Sequence, residues 1–195
     1  MHIDEFLKLI PEGGNILDAG AGVGVDSNYM HSKGFKVTSI DFSEGMLKVA
    51  RNNFPKLEFL KQDMRDINFP INVFDGILSS CSLIHIPKKD MSNIFKKFNS
   101  ILKKNGIMYL WIKKGKSGEM FIDEPYIPGE KLFLNVISDI EIRNLLKNNH
   151  FIIEQSYIDN KELMVPGTLG FINLIIIARK IKDLNALKIS IPRQD

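Results

Sequence analysis

The chain has one cysteine, Cys81, in 195 residues, so no internal disulfide can form and no thiolate zinc cluster can be built. It has no long apolar run either. The longest candidate, Leu169–Ala178, is interrupted by Gly170 and Asn173 and falls short of the ~18 residues of a membrane span. Charge is nearly balanced, 26 Lys+Arg against 23 Asp+Glu, and the formal +3 gives no argument for a nucleic-acid or membrane partner. Met1–Glu5 lacks the basic start and apolar core of a signal peptide, so the expected location is cytoplasmic. There is no internal repeat and no low-complexity linker. What is present is an ordinary globular composition, 44% hydrophobic and 25% charged. The length suits one domain, expected over residues 1–180, followed by a weakly periodic C-terminal extension at 181–195.

Short β-type runs alternate with amphipathic helical patterns, the signature of an α/β fold with a parallel sheet covered on both faces. Asn15–Asp18, Phe35–Asp41, Lys56–Gln62, Val73–Ser79 and Ile107–Ile112 read as strands, with Phe151–Ile158 and Leu169–Ala178 closing the sheet. Helices are expected over Val25–Lys33, ended by Gly34; from Ser43 to about Asn53, before Pro55; over Lys88–Lys104; and from the Ser138-Asp139-Ile140-Glu141 capping box to about Asn149. Gly115–Asn135 falls outside this rhythm and reads as a long connection, a type more often functional than idle in a compact domain.

The strongest chemical signal is Ile16-Leu17-Asp18-Ala19-Gly20-Ala21-Gly22-Val23-Gly24, a buried strand running through three alternate glycines into a helix. Glycine lets the backbone turn tightly and approach a ligand, and the helix start offers free N–H groups to polar or negative atoms. The spacing G-x-G-x-G differs from the dinucleotide fingerprint G-x-G-x-x-G. Asp41 ends the next strand, where a carboxylate either accepts from a ribose diol or completes the Ser43 helix cap. Gln62-Asp63-Met64 ends the third, where an acid and a backbone N–H can read the edge of an adenine. Phe74–Ser80 leads into the polar loop Cys81-Ser82-Leu83-Ile84-His85-Ile86-Pro87. All four lie at carboxyl ends of successive strands, where open α/β sheets bind ligands.

With these motifs in order, the sequence resembles the small bacterial-type class I S-adenosylmethionine-dependent methyltransferases. The likeness extends through Leu102–Ile107, similar to the family's L-k-p-G-G lead into strand five, and Leu145–Phe151, similar to L-L-e-x-a-G-F. The resemblance implies a doubly wound, Rossmann-like seven-stranded sheet of order 3-2-1-4-5-7-6, strand 7 antiparallel. It implies S-adenosylmethionine as cofactor, released as S-adenosylhomocysteine. By position, Gly20, Gly22 and Gly24 pass under the methionine moiety and Asp18 supports their loop. Asp41 holds the ribose hydroxyls, Phe42 and Met46 pack on the adenine, Asp63 accepts from its amino group and Met64 donates from its backbone. Ser79 or Ser80 contributes backbone contacts near the methionine amino group. His85 stands where relatives place a histidine facing the methyl group and is the candidate base. The chain departs from the family at Ile107 and His150, where glycines are usual, and in having about a dozen residues before the first strand. That points to an open pocket with Gly115–Asn135 as its lid.

Asp26 and Tyr29 on the first helix, and Tyr126 and Glu130 in the lid, are weaker candidates for the pocket. Cys81 reads as a small hydrophobe, and Tyr109 and Trp111 as core. Lys88-Lys89, Lys96-Lys97 and Lys103-Lys104 fall on one helical face, read as solvated, with a nucleic-acid footprint as the alternative. The loop Ser79-Ser80-Cys81-Ser82 lacks the Asn/Asp-Pro-Pro-aromatic pattern of base-amine methyltransferases, and the metal set of catechol-type enzymes is missing. The expected reaction is therefore metal-independent methyl transfer to an O, N or C nucleophile of a small molecule. Alternatives are a nucleic-acid or protein methyltransferase, a non-catalytic cofactor-binding module and, against the glycine spacing, a nicotinamide oxidoreductase. The acceptor and the oligomeric state are not legible.

Overall fold

A computed structural model describes residues 2–123, 129–159 and 172–181. Helix α1 (His2–Leu7) leads into strand β1 (Asn15–Ala19), α2 (Val25–Ser32), β2 (Lys36–Asp41), α3 (Glu44–Asn53) and β3 (Glu58–Lys61). After a 3-10 turn at Met64–Asp66 come β4 (Phe74–Ser80), a second 3-10 turn at Leu83–His85, α4 (Lys88–Ile101) and β5 (Leu102–Lys114). Strands β6 (Gly118–Asp123) and β7 (Lys131–Val136), helix α5 (Asp139–Asn148), β8 (Phe151–Asp159) and β9 (Ile172–Lys180) complete the described chain. None of these helices is long and apolar enough to cross a membrane.

Seven strands form one sheet in the order β3-β2-β1-β4-β5-β9-β8. The first five are mutually parallel, and β9 runs antiparallel to both β5 and β8. This is the expected order, because β6 and β7 lie outside the sheet as a separate antiparallel pair. Both sheet faces are buried, as the near-continuous apolar strands require. Ile16, Leu78, Ile107, Tyr109, Ile175 and Ile177 meet α1 and α2 on one side. Leu17, Ile77, Met108, Leu110 and Ile176 meet α4 and α5 on the other.

Three expectations are corrected, and the segment before β1, given no element in the sequence reading, proves to be a helix. The helix predicted over Lys88–Lys104 stops at Ile101, because Leu102 pairs with Phe74 and the chain joins the sheet there. Lys103 and Lys104 therefore sit on a strand and do not extend the helical lysine face. Lys88, Lys97, Lys103 and Lys114 each pair with an acid: Glu141, Asp66, Asp75 and Asp139. The Gly115–Asn135 connection contains the hairpin β6–β7, with Met120, Ile122, Leu134 and Val136 on the core. The segment before β1 forms α1, whose Ile3, Phe6 and Leu7 are buried against the sheet. A Cβ on Gly76 would meet Ile10 Cδ1 at 2.6 Å and Phe6 Cζ at 2.8 Å, so the missing side chain on β4 makes room for α1 and the turn after it. Tyr126, Leu169 and the residues from 182 onward lie outside the described residues.

Candidate active site

The β1–α2 loop, the carboxyl ends of β2, β3 and β4, and the hairpin enclose a cavity of about 730 Å³, within the usual range of small-ligand sites. From the glycine loop, Gly20 and Gly22 line it; Gly24 does not. Each glycine has its own reason. A Cβ on Gly20, at φ 92°, would stand 2.2 Å from Ser82 Cβ, so this position is set by the approach of the β4 loop. Gly22, at φ 53°, has nothing within 4 Å of a built Cβ, and that open space faces a ligand-sized cavity. Gly24 is packed under Phe59, whose Cζ a Cβ would meet at 2.6 Å.

Asp41 ties the loop to the next element. Its Oδ2 accepts from the Gly22 N–H at 2.9 Å and its Oδ1 from the Ser43 N–H at 2.8 Å, while Ser43 Oγ accepts from Met46 N–H. The two sequence readings of Asp41 are thus compatible. One carboxylate organises both the glycine loop and the start of α3, and keeps lone pairs for a ligand. Asp18, at the end of β1, also lines the cavity and accepts from Ser27 Oγ, which in turn accepts from Ser39 Oγ at 2.8 Å. Burial pushes the Asp18 carboxyl up to about 7, against the opposing pull of the Ser27 bond. Asp26 lines the cavity as well, and burial raises its carboxyl above the ordinary value despite a hydrogen bond with Ser80.

One wall is apolar and open. Phe42 is 69% exposed, Val25 61% and Met46 48%, all facing the cavity. Three exposed apolar side chains beside a carboxylate and a glycine loop suit a flat heteroaromatic ring carried on a sugar. Gln62, Asp63, Met64 and Arg65 continue this end. Asp63 caps the 3-10 turn and pairs with Arg65, whose guanidinium holds the carboxyl below its ordinary range. Gln62 Oε1 is buried and has no hydrogen-bond partner.

Ser80, Cys81 and Ser82 line the opposite side, but Ser79 does not. Ser79 is fully buried; its Oγ meets Ser82 Oγ at 2.6 Å, and Ser82 Oγ donates to the Ala19 carbonyl at 2.7 Å. Ser79 therefore braces the loop from beneath, because β-strand alternation turns it away from Ser80's face. Cys81 has φ 52°, and burial pushes its thiol up to about 11 even with Lys113 nearby, so it is no nucleophile at neutral pH. Tyr29 turns away from the cavity to bond Asp4 of α1. Glu130 is exposed and is not among the lining residues.

His85 lines the cavity from the second 3-10 turn, and its Nδ1 lies 3.0 Å from the carbonyl of Phe133 on β7. Asn135, two residues on, donates from Nδ2 to the Ile86 carbonyl at 3.0 Å. The hairpin is thus bonded twice to the His85 segment, and Leu132 and Phe133 form that side of the cavity. Arg65, Ser82, Ile86, Leu132 and Phe133 were not predicted. Only their nearness to the Gln62–Met64 and His85 motifs could have suggested the first three.

Residues 16–106 match the family model described as a methyltransferase domain. YqeM of Bacillus subtilis (strain 168), provisionally named a methyltransferase, is 35% identical over 123 residues, covering 60% of this chain and 50% of YqeM. A demethylmenaquinone methyltransferase of Renibacterium salmoninarum is 34% identical over 86 residues, covering 43% of this chain and 36% of that protein. The chain spans about half the length, or less, of these curated relatives. A solved S-adenosylmethionine-dependent methyltransferase of Methanosarcina mazei matches with a TM-score of 0.82 at 21% identity, over 92% of this chain and 98% of that one, a likeness of fold.

Proposed function

We propose that this chain is a class I S-adenosylmethionine-dependent methyltransferase that transfers a methyl group to a small-molecule acceptor, a reading supported by its match to a methyltransferase-domain model and its likeness to named methyltransferases. The observation that carries this reading is the Asp41 carboxylate, fixed by Gly22 and Ser43 at the edge of a cavity with an exposed apolar wall. In it, Asp41 accepts from the ribose hydroxyls, Phe42 and Met46 cover the adenine, and Gly20 and Gly22 pass under the methionine chain. The buried carboxyl groups of Asp18 and Asp26, bonded to the hydroxyls of Ser27 and Ser80, suit the cationic end of that cofactor. When bound, the sulfonium supplies an electrophilic methyl group. The chain's own part is to orient the acceptor and exclude water, and in-line positioning alone accounts for roughly 7–11 kcal/mol of barrier.

His85 is the base in this reading. A carbonyl oxygen can only accept, so the contact with Phe133 places the proton on Nδ1 and leaves Nε2 of the neutral ring as an acceptor. Nε2 then takes the proton of an acceptor hydroxyl or amine. His85→Ala is expected to lower kcat about a hundredfold on an acceptor found by screening, with S-adenosylhomocysteine affinity unchanged. Full turnover by this variant would remove the role.

The acid-paired lysines support a small acceptor over a nucleic acid, and the Renibacterium relative is itself named for demethylmenaquinone, a small molecule. Thermal unfolding tests the reading as a whole. A ligand at 100 times its Kd contributes ~2.7 kcal/mol, a Tm rise of roughly 5–10 °C for a chain this size. The rise is expected with S-adenosylmethionine and S-adenosylhomocysteine and not with NAD. No rise with either, or a rise with NAD alone, would overturn the assignment.

A further inference from the structure

Hairpin β6–β7 turns one face toward the segment that carries His85. In register, Glu119 stands opposite Asn135 and Phe121 opposite Phe133, so strand alternation puts these four side chains together. Met120, Ile122, Leu134 and Val136 take the other face and pack on the core. Three bonds join the hairpin to the His85 segment. The Phe133 carbonyl lies 3.0 Å from His85 Nδ1, Asn135 Nδ2 donates to the Ile86 carbonyl at 3.0 Å, and Glu119 Oε1 accepts from the Lys88 N–H at 2.6 Å. The segment itself offers the ring little support. Its 3-10 turn is three residues long and closes on the Ser82 and Leu83 carbonyls, and the Ile86 carbonyl lies beyond it. A turn this short has poor hydrogen-bond geometry.

Of the hairpin's two side-chain anchors, Asn135 is the firmer. It is 3% exposed, whereas Glu119 is exposed and bonds the start of α4. Reversing the Asn135 amide would set Oδ1 against the Ile86 carbonyl oxygen, acceptor against acceptor, so the donor orientation is fixed. Phe133 and Asn135 are two residues apart on β7, and their bonds reach the adjacent residues His85 and Ile86. The two bonds are neighbouring rungs, and holding one holds the other.

We infer that Asn135 is a positioning residue for His85. Its bond to the Ile86 carbonyl holds the turn against β7 and keeps the Phe133 carbonyl on Nδ1. That maintains the tautomer with Nδ1 protonated and Nε2 able to accept. The bearing on catalysis rests on the reading of His85 as the base; the tautomer does not.

The test is long-range proton–nitrogen NMR correlation of the imidazoles in the full chain, which tells a protonated ring nitrogen from a bare one. The chain has four histidines, and His85→Ala identifies the signals of His85. At mildly alkaline pH the wild-type ring is expected in the Nδ1–H form. Asn135→Leu keeps the bulk and removes the donor, and is expected to lower the ratio of Nδ1–H to Nε2–H about 5- to 10-fold, the value of one hydrogen bond. Val136→Ala loosens the opposite face of the hairpin and is expected to leave the ratio unchanged. Should the leucine variant fail to fold, Asn135→Ala is measured in its place. A wild-type ring protonated on Nε2, no change in Asn135→Leu, or an equal change in Val136→Ala would overturn the inference. Turnover on an acceptor found by screening separates it from the base reading. Asn135→Leu is expected to lower kcat severalfold at unchanged KM for S-adenosylmethionine, with no further effect in the His85→Ala background. The same fall in that background would overturn the positioning role, whereas full turnover by His85→Ala would remove the base reading alone.

Discussion

Asp41→Ala is expected to weaken S-adenosylhomocysteine binding at least a hundredfold and to abolish the ligand-induced rise in Tm. Two losses combine. The carboxylate is the proposed partner of the ribose hydroxyls, and hydrogen bonds to a charged acceptor are worth ~1.5–3 kcal/mol each. It also holds the Gly22 and Ser43 N–H groups at 2.9 and 2.8 Å, so its removal unties the glycine loop from the start of α3. Asp41→Asn separates the two contributions, since an amide has one acceptor oxygen and can keep only one of those N–H groups. An intermediate loss is expected for it. Isothermal titration of wild type and both variants checks this, and an affinity for Asp41→Ala within threefold of wild type would refute the assigned role.

Asp18→Asn is expected to stabilise the fold above neutral pH and to change little at pH 4. Asp18 is 1% exposed, and burial raises its carboxyl from 3.8 to about 7. Between these values the unfolded chain has released the proton and the native state still holds it, so the native state binds more protons and stability falls as pH rises. Below about pH 4 both states are protonated and no penalty applies. Above about pH 7 both are ionised and the penalty is complete, at about 4 kcal/mol. Asparagine keeps an oxygen for Ser27 and carries no charge at any pH, so the variant should lose this component of the pH dependence. Denaturant melts of both proteins from pH 4 to pH 8 measure it; parallel curves would show that Asp18 does not titrate in this window. The penalty has a functional counterpart. A buried carboxylate lining the cavity becomes less costly when a cationic ligand group sits beside it.

Several features were legible in the sequence because they are local. The Ser138–Glu141 capping box forms both of its hydrogen bonds, and the Ser43 cap forms its own, since such bonds depend on residues three apart. The sheet order is what the family resemblance of the motifs implies, and Asp41 stands where a strand end before a helix puts it. The hairpin was obscured because Phe121 on β6 is exposed and breaks the apolar alternation expected of a strand. The end of α4 was misread because a buried Leu102 satisfies a helical stripe and a strand equally well, and only pairing with Phe74 distinguishes them.

The sequence by itself determined the α/β class, the glycine loop, the strand-end acids and the likeness to methyltransferases, because each is written in residues close along the chain. The tertiary structure decided how those residues are used. Ser79 braces Ser82, Gly24 makes room for Phe59, Asp63 is occupied by Arg65, and His85 is held through a carbonyl 48 residues away. The free lone pairs of an acid and the tautomer of a histidine depend on which neighbours folding supplies, and neither spacing nor residue type records that.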